Sequence, residues 1–126
     1  MYKLSGRVIK GDGYGKVLGF PTANLDRRDY SRKRMNIRLG IYAGFAELNL
    51  KSKILNLKSA IVIGPVDKIG LPKIEAHLLG FKGNLYGSKI SLFLVKYLRG
   101  FKRFKTVKIL KQQITNDIRQ VKKLKF

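Results

Sequence analysis

The feature that most constrains the fold is a repeated alternation of apolar and polar residues, rich in β-branched and aromatic side chains. Period-two patterning bounded by glycines or polar clusters is typical of half-buried antiparallel strands. None of these segments is separated by the helix that a parallel crossover needs. The sequence therefore predicts a mainly β fold, an antiparallel meander or Greek-key β-barrel of about six strands. The candidate strands are Tyr2 to Lys10, Gly40 to Leu48, Leu57 to Ile63, Lys73 to Leu79 and Lys89 to Leu98.

The connection between the last two candidate strands is rich in turn residues. Residues 81–87 read Phe-Lys-Gly-Asn-Leu-Tyr-Gly, and Gly and Asn adopt the backbone conformations of tight reversals. We therefore expect the strand that begins at Lys73 and the strand that begins at Lys89 to pair as a hairpin.

The C-terminal segment follows a helical period. Thr106 has the side chain of an N-cap, and apolar residues then recur at spacings of three and four, which predicts one amphipathic C-terminal α-helix. The other face of this helix is basic and could meet RNA or a membrane, or remain solvated while the helix docks on the barrel. The apolar positions are Val107, Leu110, Ile114, Ile118, Val121 and Leu124.

Size and composition limit the class of protein. At 126 residues, the chain 1–126 is expected to form a single domain, and a monomer. The absence of Cys excludes disulfides and thiolate zinc sites, and one His cannot form a histidine cluster, so any metal should be a hard cation on oxygen ligands. No segment resembles a signal peptide or approaches the roughly 20 apolar residues of a membrane span. We therefore expect a cytoplasmic protein that does not enter a membrane.

The formal charge of +21, from 28 Lys and Arg against 7 Asp and Glu, would attract nucleic acid, anionic lipid or a phosphorylated ligand. A Lys-rich solvated surface is the plain alternative. Basic residues concentrate in the one long connection, Asp26 to Arg38, which is charged and lacks periodicity. This connection is predicted to be a mobile loop or lid beside the functional site.

A glycine-rich segment, Gly11 to Gly19, follows the first candidate strand. Glycines at alternate positions let backbone amides approach phosphate oxygens, and Lys16 can add a positive charge. The segment is not a Walker A loop, because Val17 stands where Ser or Thr should follow the Lys. Taken alone, the glycines more often indicate a flexible hairpin turn than a phosphate site.

The next motif, Phe20-Pro21-Thr22-Ala23-Asn24, presents two oxygen-bearing side chains two residues apart. That spacing places Thr22 and Asn24 on one face of an extended segment. A hydroxyl and an amide oxygen suit Mg²⁺ that takes its negative charge from substrate phosphates. The alternative is an ordinary turn in which Asn24 caps the following segment.

In these residues and in later segments, the chain resembles the ATP-dependent riboflavin kinases, or flavokinases. Gly11 to Leu25 is similar to the family's signature loop, and the later matches follow in the family's order over nearly the whole chain. These matches are Gly40 to Gly44, Ile74 to Leu79, Asn84 to Gly87, Leu98-Arg99 with Lys102 and Phe104, and the helix through Gln113, Ile114 and Asp117.

The resemblance implies the family's Greek-key barrel with a C-terminal helix, and a role for each matching residue. Glu75 would be the catalytic carboxylate, and Thr22 and Asn24 would hold magnesium. Residues implied to contact ATP are Gly11, Lys16, Thr22, Asn24, Leu78, Gly80 and Tyr86, with Leu78, Gly80 and Tyr86 around the adenine. Residues implied to contact flavin are Arg99, Lys102 and Phe104.

These residue types suit phosphoryl transfer, which requires positioning and charge neutralisation more than covalent help. Glu75 would accept the proton of the terminal ribityl hydroxyl of riboflavin as that oxygen attacks the γ-phosphate of ATP, giving FMN and ADP. The alternative for Glu75 is a surface carboxylate paired with Lys73 or another base. His77 shares the face of Glu75 and is interpreted as a packing or hydrogen-bonding residue.

The chain departs from the family pattern at several positions. Phe101 stands where many members carry an acid, Val62 replaces the usual Asn or Ser, and Asn84 replaces the usual Asp. The adenylyltransferase domain that precedes the kinase in many bacterial members has no counterpart here, so we expect synthesis to stop at FMN.

Two other functions remain open from the sequence. One is a basic β-barrel that binds RNA or DNA, with phosphates held by the basic residues of Asp26 to Arg38 and bases stacked on aromatic side chains. The other is a flavin-binding module that has lost turnover. The stacking candidates are Tyr14, Tyr30, Phe101 and Phe104.

Overall fold

Six strands close into one antiparallel barrel in the computed structural model, which describes residues 1–11, 13–51 and 53–125. Around the barrel the order is β1-β2-β5-β4-β3-β6, and β6 pairs with β1 to close it. The mainly β, barrel fold predicted from the sequence is confirmed. The strands are β1 (Tyr2–Ile9), β2 (Ala23–Leu25), β3 (Gly40–Leu50), β4 (Lys53–Val66), β5 (Pro72–Leu78) and β6 (Lys89–Arg99), and the helices are α1 (Tyr14–Val17), α2 (Arg28–Arg32) and α3 (Val107–Lys122).

The predicted hairpin between β5 and β6 is wrong. β5 pairs with β2 and β4, whereas β6 pairs with β1 and β3. The turn-rich segment between them crosses an end of the barrel and docks on β1: the Gly87 amide donates to the Val8 carbonyl at 2.9 Å, and the Val8 amide donates to the Ser88 carbonyl at 2.9 Å. Leu85 anchors this segment with only 8% of its surface exposed. The Gly and Asn residues between β5 and β6 therefore form a turn-rich connection, but this connection does not pair the two strands as a hairpin.

The interior of the barrel is filled by the alternating apolar side chains. Ile61 and Ile63 of β4 are fully buried, and Leu92 of β6 is equally buried. Burial of such side chains contributes about 1.5–3 kcal/mol each, which makes the alternation the main source of stability. Outward-facing positions on the same strands are left to carry polar and charged groups.

The C-terminal helix α3 forms as predicted and packs on the outside of the barrel. The Thr106 hydroxyl caps it by accepting a hydrogen bond from the Ile109 amide at 3.2 Å. Val121 is fully buried in a small cluster with Ala43 and Ala60. Alanines on the outer faces of β3 and β4 let the helix approach closely, which fixes α3 across these two strands.

The connection from Asp26 to Arg38, predicted as a mobile loop or lid, contains regular structure and two buried side chains. It contains the short helix α2, and the side chains of Tyr30 and Ile37 are 7% and 2% exposed. The Tyr30 hydroxyl also accepts a hydrogen bond from the Ile37 amide at 3.3 Å. Two apolar anchors in a charged segment produce no periodicity, which is why the sequence pattern did not reveal this packing. No helix within the described ranges is long and apolar enough to cross a membrane.

Candidate active site

The short strand β2 places Asn24 between two other strands. Asn24 pairs with Ile9 of β1 on one side and with Glu75 of β5 on the other. Asn24 and Glu75 are both half-buried, and they line one cleft of about 140 Å³ that also contains Arg27 and Lys73. Two carboxylates, an amide and three basic side chains therefore meet where β1, β2 and β5 run side by side.

Gly11 lies against the side chain of Asn24. A Cβ atom at residue 11 would come within 2.1 Å of Asn24 Nδ2 and 2.5 Å of Asn24 Oδ1, so only glycine leaves room for the amide in this position. Gly11 lines the same cleft. The sequence-predicted residues Gly11, Asn24 and Glu75 are thus brought together, whereas Asp12 of the glycine-rich segment lies outside the described residues.

The glycine-rich segment is a folded turn rather than an open loop. α1 occupies its middle, and the amides of residues 17–20 all donate to carbonyls within the segment, among them Phe20 to Gly15 at 2.7 Å. A Cβ at Gly15 would lie 2.5 Å from the Phe20 carbonyl oxygen, so the turn requires glycine there. Lys16 is exposed in the last turn of α1. The amides of residues 17–20 are therefore already engaged within the turn, whereas the Lys16 side chain is open to a ligand.

Thr22 is half-buried and immediately precedes the first paired residue of β2. The residue before it, Pro21, accepts a hydrogen bond on its carbonyl oxygen from His77 Nδ1 at 2.7 Å. The His77 ring also meets Phe20 edge to face, with ring centroids 6.0 Å apart. The interpretation of His77 as a hydrogen-bonding residue is confirmed, and its partner is the backbone of the segment that carries Thr22.

A second groove, of about 490 Å³, opens between the turn at Gly19, the end of β5 and helix α3. Gly80 and the aromatic pair Phe20–His77 line it, which is a surface that suits a flat aromatic ring. Leu78 does not present its side chain there, since it packs in the barrel core with 7% exposure and has only its backbone to offer. Tyr86 is 59% exposed and is not among the residues that line this groove.

The three residues implied to contact flavin lie near the C-terminal end of β6. The Arg99 guanidinium forms a bidentate ion pair with the Asp117 carboxylate of α3, with Nε 3.0 Å from Oδ1 and Nη2 2.7 Å from Oδ2. Phe104 is half-buried, with its ring centroid 5.9 Å from Arg99 Cζ, and Lys102 lines a groove of about 430 Å³ together with Arg99. Arg99 is thus committed to joining β6 to α3, while Lys102 is exposed.

Sequence reasoning missed the ion pair at the edge of the Asn24–Glu75 cleft. Arg27 Nη1 lies 2.5 Å from Asp67 Oδ2 and also donates to the Leu71 carbonyl at 3.2 Å. This guanidinium holds the pKa of Asp67 below its ordinary value. The pair ties the Asp26–Arg38 connection to the turn between β4 and β5, and only the tertiary fold brings the two residues together.

The donor set at the cleft fits a magnesium ion that is bound mainly through a nucleotide. Among residues 1–11, 13–51 and 53–125, no group of three or more His, Asp and Glu side chains could hold a metal ion. Asn24 lines the cleft directly opposite Glu75, and Thr22 lies two residues before it, just ahead of β2, so the two side chains offer neutral oxygen ligands. Such a set requires the phosphates to supply the remaining negative charge.

Solved structures with the same architecture define the class of this barrel. A riboflavin kinase from Trypanosoma brucei superposes with a TM-score of 0.72 at 20% identity, covering 95% of this chain and 76% of that one. A macrolide-efflux protein from Streptococcus pneumoniae superposes with a TM-score of 0.80 at 22% identity, covering 98% of this chain and 39% of that one. At these identities the likeness establishes the fold.

Sequence comparison establishes the family. The flavokinase family description, "Riboflavin kinase", matches residues 1–125, and the chain belongs to that family. It is 32% identical to human riboflavin kinase over 97% of this chain and 79% of the human protein. It is also 33% identical to a bifunctional riboflavin kinase/FMN adenylyltransferase of Buchnera aphidicola, over 97% of this chain and 38% of that protein. The chain therefore spans little more than a third of the bifunctional relatives that it matches.

Proposed function

We propose that the protein is a riboflavin kinase that transfers the γ-phosphate of ATP to the 5′-hydroxyl of riboflavin, giving FMN and ADP. The observation that carries the proposal is the pairing of Asn24 with Glu75 across β2 and β5, with Gly11 packed against Asn24. A neutral oxygen ligand, a carboxylate and a close backbone approach then share one cleft. Family membership supports the choice of riboflavin as acceptor.

In this proposal Glu75 is the general base. It is half-buried and faces the cleft, so its carboxylate can lie within hydrogen-bond reach of a hydroxyl bound there. Accepting the ribityl proton as the oxygen attacks phosphorus prevents positive charge from building up on that oxygen.

Thr22 and Asn24 would hold magnesium through their hydroxyl and amide oxygens. Magnesium bound there supplies charge neutralisation for the polyphosphate. The protein's own contribution is geometric: β2 fixes Asn24 directly opposite Glu75, and Gly11 excludes any side chain that would displace the Asn24 amide. Metal, nucleotide and base are thereby kept on one side of the β2–β5 pair.

The remaining contacts are assigned to the cleft and the two grooves. Gly11 and Lys16 would contact ATP phosphates, and the adenine would lie beside Gly80 and the backbone of Leu78. Tyr86 would reach the adenine from the connection to β6, outside the lining of that groove. Riboflavin would lie near Lys102 and Phe104. Arg99 would act on the flavin site mainly by holding β6 to α3 through Asp117.

Residues 1–126 would form one kinase domain that works as a monomer in the cytoplasm. The test of the activity is formation of FMN from riboflavin, ATP and magnesium by the purified protein, followed by separation of the flavins on a reversed-phase column. Conversion that requires all three components supports the kinase. Saturable riboflavin binding without any FMN would instead favour a flavin-binding module.

A specific observation favours a second candidate function, the binding of a polyanion such as RNA. The segment from Lys102 to Lys125 carries nine Lys and Arg, all exposed, and its one acid, Asp117, is buried and paired with Arg99. The basic connection that the sequence suggested for this role is partly neutralised, since Arg27 pairs with Asp67, and both Arg32 and Lys33 pair with Asp29. Tyr30, a predicted stacking platform, is buried.

Binding of a short single-stranded RNA, measured by fluorescence anisotropy at several salt concentrations, tests this candidate. Two triple variants remove the same charge from different surfaces. One is Lys105→Gln, Lys108→Gln, Lys111→Gln on and before α3, and the control is Lys53→Gln, Lys68→Gln, Lys82→Gln. RNA binding by α3 predicts weaker binding and a lower salt slope for the first set only. Equal losses would show attraction by net charge alone.

A further inference from the structure

The β2–β5 pairing ends at a residue that cannot extend it in the usual way. Ala23 pairs with Ala76, and two residues earlier the chain has Pro21, which lacks an amide hydrogen. Pro21 can accept a hydrogen bond but cannot donate one to a neighbouring strand. The paired residues of β2 and β5 therefore begin at Ala23, and Thr22 lies just before them, next to Pro21.

His77 supplies the connection that the ladder lacks. It follows Ala76 on β5, and its Nδ1 lies 2.7 Å from the Pro21 carbonyl oxygen. Because a carbonyl oxygen has no proton to give, Nδ1 must carry the hydrogen and act as the donor. The His77 ring also packs edge-on against Phe20, one residue before Pro21. The His77 side chain thus contacts both residues that precede Thr22, by a hydrogen bond to Pro21 and a ring contact with Phe20.

We infer that His77 is a positioning residue, which holds the Phe20–Pro21 backbone against β5 and so keeps Thr22 on the same side of the barrel as Glu75. Glu75 and His77 lie two residues apart on β5 and share a face. The hydrogen bond therefore links the segment that carries Thr22 to the strand that carries the carboxylate. The catalytic meaning of the link rests on the proposed function, whereas the link itself is a property of the fold.

Two variants of His77 separate the hydrogen bond from the ring contact. His77→Asn keeps a side-chain N–H close to the position of Nδ1 and removes the ring. His77→Phe keeps a ring against Phe20 and removes the donor. If the hydrogen bond positions Thr22, the Asn variant should resemble the wild type and the Phe variant should not.

The first readout needs no activity. Hydrogen exchange of the peptide that covers residues 14–22 should be about five-fold faster in His77→Phe, the ratio that corresponds to one neutral hydrogen bond of about 1 kcal/mol. Exchange in His77→Asn should stay within about two-fold of the wild type on the same scale. Faster exchange in Asn than in Phe, or no change in either variant, would overturn the inference.

The second readout is kinetic. The magnesium concentration that gives half the maximal rate of FMN formation should rise about five-fold in His77→Phe and remain near the wild-type value in His77→Asn, with the KM for riboflavin unchanged in both. A purely structural role would alter both variants alike, and equal defects would therefore contradict the assignment. If the wild type itself forms no FMN, the proposed function fails, while hydrogen exchange still decides whether His77 fastens this segment.

Discussion

Asn24 lies directly across the β2–β5 pair from Glu75, and a Cβ atom at Gly11 would overlap the Asn24 side chain. The amide that is assigned to magnesium and the carboxylate that is assigned to the ribityl proton therefore have a separation set by strand register. Register is a property of the whole barrel, because a slip by one residue would turn one of the two side chains into the core. The chemistry proposed for this protein therefore depends on the register in which β2 pairs with β1 and β5.

Gly11→Ala should impair the cleft without unfolding the barrel. The added methyl group must displace the Asn24 amide, and we expect kcat/KM for FMN formation to fall roughly ten-fold or more, as misplacement by about an ångström often does. Gly100→Ala is the matched control, since its Cβ would meet only the Tyr97 hydroxyl, at 3.3 Å. Comparable losses in both variants would show that the effect is not specific to Asn24.

Thr22→Ala and Asn24→Ala should each raise the magnesium concentration needed for half the maximal rate, by roughly ten-fold. Each change removes one oxygen that is proposed to bind the ion. Thr22→Ser keeps the hydroxyl and is expected to keep a requirement close to that of the wild type. Titration of the initial rate with magnesium at saturating ATP measures this, and an unchanged requirement in both alanine variants would rule out the ligand assignment.

The ion pair between Arg27 and Asp67 predicts a pH dependence of stability. Arg27 lowers the pKa of Asp67 from its ordinary 3.8, so the folded state gains stability from the ionised carboxyl. This contribution is complete above pH 3.8 and is lost as the pH falls through the lowered pKa of the folded state. Asp67→Asn should therefore be less stable than the wild type in urea unfolding at pH 7, and the difference should shrink in strong acid. A difference that is independent of pH would show that Asp67 acts through packing.

The sequence predicted those parts of the fold that have a local signal. Alternation identified five of the strands, and the spacing of apolar residues after Thr106 identified α3. The sequence did not predict β2, because three residues are too few to show a period of two. It did not predict α2, because Tyr30 is the only buried residue of that helix. The partner of β5 was assigned wrongly since strand pairing across a barrel is set by distant segments, whatever the turn at Asn84 suggests locally.

Some residues of the candidate site could be found from the sequence, whereas the contacts between them could not. Thr22, Asn24 and Glu75 were identified by their resemblance to a family, and the structure adds that Asn24 and Glu75 are paired. The bonds from Arg27 to Asp67 and from His77 to Pro21 join residues 40 and 56 positions apart. Neither residue type nor spacing marks such contacts in a single sequence, because they exist only after the barrel has closed.

The central claim is that Glu75 acts as the base for phosphoryl transfer to riboflavin. Its most direct test is the rate of FMN formation by Glu75→Gln, beside Glu47→Gln as a control, since Glu47 is a half-buried acid on β3. General base catalysis typically contributes about 10²–10⁴-fold, so kcat for Glu75→Gln should fall by at least about a hundred-fold while riboflavin binding and the melting temperature stay near wild type. A kcat for Glu75→Gln within a few-fold of that for Glu47→Gln would contradict the account.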